Sequence, residues 1–115
     1  MGFNLPQYTG WVDVPFYAGM EMECWLNPVK DDWEPPENPE PWDNEYWYAY
    51  GRLFKRLRVP AGMTGDGEEQ VIELGSAKAV YELTDTPGFD QGILPRVMAA
   101  WGEQREALLE AAQKN

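Results

Sequence analysis

Cys24 is the single cysteine of a 115-residue chain that contains no histidine. Imidazole serves as the commonest general base, as the centre of serine and cysteine triads and as a frequent zinc ligand, so its absence removes those routes. Cys24 stands between Glu23 and Trp25 with no cation beside it to hold a thiolate, the setting of a small buried hydrophobe. No intrachain disulfide and no thiolate cluster can form around it. Carboxylate pairs remain. Glu21 and Glu23 project from one side of a strand, and Asp31 and Asp32 are adjacent. A glycosidase needs two carboxylates flanking a cleft, at least one with a raised pKa. In a chain with 20 acidic residues such pairs arise without that purpose, and these are expected to be solvated. Gly-Asp-Gly-Glu-Glu at 65–69 lacks the spacing of an EF-hand, and the glycine-rich stretch 62–67 lacks the lysine and hydroxyl of a phosphate loop. Both read as turns. The residues therefore lead to an expectation of no catalytic site, no metal and no cofactor.

Contact is the alternative to chemistry, and one segment stands out for it. Residues 27–42 hold Pro28, Pro35, Pro36, Pro39 and Pro41 among Asp31, Asp32, Glu34, Glu37 and Glu40. Repeated proline forbids helix and favours extended backbone, so this is a long, negatively charged loop. Loops of that length are commonly functional or disordered. Trp33 and Trp42 oppose complete disorder, because such rings pin a loop to its domain. The candidate partner-binding residues are Trp33, Glu34, Glu37, Glu40 and Trp42: rings as anchors and acids to steer the encounter. The competing reading is a crossover loop whose tryptophans plug the chain's own core. The basic stretch from Arg52 to Arg58 is short and reads as neutralising nearby acids.

Charge narrows the partner. Nine Lys and Arg against 20 Asp and Glu give 9 − 20 = −11, and residues 1–50 alone carry one base and ten acids, or −9. Such a surface repels phosphate backbones and anionic lipid, and attracts a basic protein surface. No apolar run is long enough to span a bilayer, and residues 1–20 are interrupted by Pro6, Asp13 and Pro15. A cytoplasmic protein, or part of a particle assembled there, is expected.

One α+β domain over residues 1–115 is expected to carry these residues. Val12, Val14 and Phe16, then Met20, Met22, Cys24 and Leu26, alternate with polar or charged neighbours, which predicts two strands over 9–26 with one wet face. Tyr17-Ala18-Gly19 forms their turn, and Pro15 places the first strand at an edge or a bulge. Asp43 is expected to cap a helix of about fifteen residues whose buried face carries Trp47, Tyr50, Phe54 and Leu57. Residues 66–84 are either a hairpin around Gly75 or two short helices, with Asp66, Glu69 and Ser76 as capping signals that favour helix. Asp90 is expected to cap a last helix reaching about Gln113, with Pro95 in its first turn. Its apolar stripe of Leu94, Val97, Met98, Trp101, Leu108 and Ala112 is interrupted by Arg105. The expected fold is an antiparallel β-hairpin or small sheet packed against two or three helices, the last one long.

Two stretches carry a family resemblance. VDVPFYAGMEMECWLNP at 12–28 resembles the opening of small proteins encoded in siphophage tail-gene regions, the tail assembly chaperones or tail accessory proteins. LPRVMAAW at 94–101 is similar to their Leu-rich closing helix with its Ala-Trp pair. The tryptophan-containing turn common in the middle of that family is missing here, and the proline/acid loop is an addition. The resemblance implies a non-enzymatic protein that holds tape-measure or tail-tube subunits before assembly; it transfers no site residue. An assembly protein of this kind is expected to form a homo-oligomer or a complex with another virion protein. The other reading is an acidic inhibitor that mimics nucleic acid and occupies the basic groove of a host or defence protein.

Overall fold

The computed structural model describes residues 9–28 and 32–113, with side chains up to residue 111. Pro6, Asp31 and the side chain of Ala112, named above, lie outside the described residues. Strands β1 (Thr9–Asp13) and β2 (Glu21–Trp25) pair antiparallel from Thr9 opposite Trp25 to Asp13 opposite Glu21. The Val14 amide donates to the Met20 carbonyl at 2.9 Å and closes the hairpin loop, with Gly19 at φ +88°. Phe16 does not continue the alternation. Because the ladder ends at Val14 and Pro15 has no N–H to extend it, the chain turns there; Phe16 sits at φ +73° and is 76 % exposed.

Helix α1 (Glu45–Leu53) is capped by Asn44, whose side chain accepts from the Trp47 amide at 3.1 Å. Asp43 is not the cap. Its carboxylate is turned back to accept the Glu40 amide at 2.8 Å. The helix is shorter than expected, and Phe54 begins strand β3 (Phe54–Val59) directly after it. The physical reason lies in the pairing. β3 lies against β2 with a register shift at Glu23/Cys24, so that Cys24 meets Phe54 while Glu23 meets Arg56. Lys55 is the extra residue of that bulge. Phe54 and Leu57, three apart, then both face the core, a spacing that imitates a helical period.

Strand β4 (Gln70–Glu73) pairs with β3 and completes a sheet of order β1-β2-β3-β4. This corrects the helical expectation for residues 66–74. Gln70 to Glu73 lie opposite Val59 to Arg56, and these cross-strand partners outweigh the Asp66 capping signal, which is used in a turn instead. The second half of that region is helical as expected: α2 (Ala77–Leu83) is capped by the Ser76 hydroxyl, which accepts from Ala79 N–H at 3.1 Å. α1 packs closely on its start, since a Cβ on Gly51 would stand 2.5 Å from the Ser76 carbonyl carbon.

α3 (Ile93–Gln113) buries Leu94, Val97 and Trp101 with the inward side chains of the sheet. Met98 and Leu108, expected on its buried stripe, are 37 % and 47 % exposed. A 21-residue helix runs about 30 Å, whereas the five-residue β1 it crosses spans about 17 Å, so part of the stripe has no sheet beneath it. Arg105 breaks the stripe because its side chain serves the sheet instead, its Nε donating to the Leu26 carbonyl just beyond β2. The observed fold is α+β, an antiparallel sheet packed by three helices of which the last is long.

Candidate protein-contact site

The groups with chemical potential are occupied by structure. Cys24 is fully buried on the inward side of β2, and desolvation, then the neighbouring Glu23 charge, push its thiol far above the ordinary range. A thiolate is therefore strongly disfavoured. Glu21 and Glu23 do share the outward face of β2, but they are not a solvated pair. Glu23 is only 8 % exposed, accepts the Thr9 hydroxyl and lies 3.0 Å from Arg56 Nε; Glu21 is ion-paired with Arg58. On the far side the same arginines meet Glu73 at 3.4 Å and Glu69 at 3.6 Å. The Arg52–Arg58 stretch thus contributes a cation ladder between two rows of acids, with Arg58 also over the Trp11 ring at 4.5 Å. Among the described residues no group of His, Cys, Asp and Glu is placed to hold a metal. Residues 64–68 form a hydrogen-bonded turn. The Thr64 hydroxyl donates to the Glu68 carbonyl, and the Glu68 amide and Thr64 hold the Asp66 carboxyl below its usual range.

The described part of the proline/acid loop, from Asp32 to Trp42, has no helix or strand, and Glu34, Glu37 and Glu40 are exposed. Its two tryptophans differ. Trp42 packs inward, its ring 5.8 Å from Tyr81 and covered by Lys78 Nζ at 5.5 Å. It plugs the chain's own core. Reciprocal bonds between Glu40 and Asp43, and a 3.0 Å bond from the Asn44 amide to the Trp42 carbonyl, fix the approach to α1 that holds it there.

Trp33 is half-buried and lines an open groove of about 610 Å³ with Asn44, Glu45, Tyr46, Trp47 and Gln91. Tyr46, 42 % exposed, stands edge-on to Trp47 at 4.9 Å and Tyr50 at 5.0 Å, so a buried aromatic stack supports the exposed ring. Residues 32–51 hold six carboxylates and no Lys or Arg. The groove is aromatic in its lining and acidic in its surroundings. Tyr46 and Gln91 were not singled out by the sequence; a tyrosine on the flank of the α1 stripe was the available signal for the first. Gln91 joins from a distant turn, which no local pattern marks.

No protein-family model, curated protein or solved structure matches the chain.

Proposed function

We propose that the chain is a non-enzymatic protein-binding module that serves bacteriophage assembly, as a tail-chaperone-like or minor structural protein. It would act in the host cytoplasm, or be carried from there into the virion. The observation that carries the binding role is the Trp33–Tyr46 groove: two aromatic rings, of which Tyr46 is braced by Trp47 and Tyr50, on a segment with six acids and no base. Aromatic anchors in an acidic setting fit a basic partner surface, the rings supplying contact energy and the acids the encounter rate. No helix of the described residues is long and apolar enough to cross a membrane. The assembly role rests on the resemblance of residues 12–28 and 94–101 to siphophage tail proteins. The arrangement of carboxylates weighs for it over nucleic-acid mimicry. A mimic needs acids spaced like phosphates on rigid backbone, whereas the sheet acids answer arginines, and the exposed Glu34, Glu37 and Glu40 lie on an irregular loop.

The test places a photo-crosslinking residue at Trp33 in the full chain and identifies the captured proteins by mass spectrometry in phage-infected cells. A virion or tail subunit captured at high salt supports the reading. Capture confined to nucleic-acid-binding proteins, and lost at high salt, transfers the function to mimicry.

A further inference from the structure

The two edges of the sheet are treated differently. Met22 and Cys24 bond towards β1, as the Val14–Met20 bond shows by alternation, so Thr9, Trp11 and Asp13 turn their backbone groups outward. That edge is guarded: Gln104 of α3 donates to the Trp11 carbonyl at 2.8 Å. At the other edge the Leu74 amide donates to the Lys55 carbonyl at 2.9 Å. Alternation then directs Ile72 and Gln70 towards β3, and leaves the N–H and C=O of Val71 and Glu73 facing away from the sheet. Among the described residues no strand lies beyond β4, and Val71 is 51 % exposed.

A partly open cavity of about 280 Å³ lies beside this edge on the inward face. Ile72, Val59, Met63, Leu83 and Phe89 line it, with Met63 exposed at its mouth. The outward face beside β4 is acidic. Among the described residues Glu21, Glu23, Glu69 and Glu73 are ion-paired with Arg56 and Arg58 alone, and Asp66 and Glu68 lie in a stretch, 59–77, that has no Lys or Arg.

We propose that β4 receives an extended segment of a partner protein as a fifth strand, with apolar side chains entering the cavity beside Ile72 and Met63 and basic ones lying over Glu69 and Glu73. Main-chain bonds to Val71 and Glu73 supply the affinity, and the alternation of side chains supplies the specificity. A second copy of this chain is a poor occupant, because β4 against β4 brings Glu69 and Glu73 of both copies together. This surface is separate from the Trp33–Tyr46 groove and stands without it.

A ten-residue peptide alternating valine and lysine is titrated into the full-length protein labelled with nitrogen-15. Saturable shifts are expected in the amides of Val71, Ile72, Glu73 and Met63. N-methylation of the peptide amides along one edge should weaken binding about tenfold or more, while N-methylation along the other edge leaves it unchanged. Equal affinity of the two methylated peptides, shifts centred on Trp33 and Tyr46, or no binding at millimolar peptide would each overturn the proposal. Because the modification is on the peptide, folding of the protein is not at issue.

Discussion

Gly10 and Trp101 are fitted to each other: a Cβ on Gly10 would stand 2.7 Å from Cη2 and 2.8 Å from Cζ3 of the indole. Gly10 faces inward on β1 opposite Cys24, and Trp101 is buried in α3. The strand gives up a side chain so that the helix can lie close. Gly10→Ala should destabilise the protein by about 1–3 kcal/mol, seen as a lower urea midpoint. Trp101→Phe withdraws the clashing part of the ring and removes an indole N–H that has no partner among the described residues. The double variant should be more stable than the sum of the single losses. Strict additivity would show that the two residues do not press on each other.

Arg56 and Glu23 form an ion contact across β2 and β3 whose angle is not that of a linear hydrogen bond, and the carboxylate is far more buried than the guanidinium. Arg56→Met leaves that carboxylate without its cation. A fully buried pair broken in this way costs about 3–5 kcal/mol. A third of the Arg56 side chain is exposed, which screens the pair, so a loss of about 2–3 kcal/mol is expected. Adding Glu23→Gln should recover most of it, since the neutral amide tolerates the site. Equilibrium unfolding of the three variants with an unchanged denaturant slope checks this; no recovery in the double variant would mean that Arg56 acts through packing alone.

Tyr50 sets an alkaline limit on stability. Burial, then the neighbouring Tyr46, push its phenol from 10.0 up to about 12. The unfolded chain therefore loses this proton about two pH units before the folded one. The contribution is present below pH 10 and is lost as pH rises towards 12, because the unfolded state then binds fewer protons. The unfolding midpoint should fall over that window. Tyr50→Phe should flatten the fall and delete the latest phase of the phenolate absorbance titration. An unchanged slope in that variant would assign the alkaline limit to another group.

The hairpin and the last helix were legible because their signals are local: period-two alternation over 9–26, and a proline with the first part of an apolar stripe after residue 88. Asp90 is not the cap of that helix: its carboxylate accepts the Gly92 amide at 2.7 Å in the turn that precedes Ile93. The centre misled for a physical reason. Phe54 and Leu57 keep a helix-like spacing only because a bulge at Lys55 absorbs one residue, and a bulge is set by the partner strand. Likewise the acids of β2 read as solvated because their arginines lie some 35 positions away. In the loop, composition marked both tryptophans equally. Which one turns inward depends on Tyr81 and Lys78 of α2, a contact no spacing within 27–42 encodes.

That division between Trp33 and Trp42 gives the sharpest separation of stability from contact. Trp42 is packed on Tyr81 and under Lys78, yet stays partly exposed, so Trp42→Ala should cost about 2–3 kcal/mol, less than the ~3–5 kcal/mol of a fully buried aromatic. Trp33 meets the groove from an irregular segment, and Trp33→Ala should change stability by no more than about 1 kcal/mol. Its effect should fall on the partner: truncation of an interface anchor typically costs about 2 kcal/mol or more of binding, roughly a thirtyfold weaker complex. Tyr46→Ala, which removes another ring of the groove lining, should weaken binding in the same direction. Thermal unfolding of each variant, set beside affinity for the protein captured at Trp33, separates the two roles. If Trp33→Ala unfolds the chain as readily as Trp42→Ala, both rings are plugs and the contact surface must be sought elsewhere, with the open edge of β4 as the next place to look.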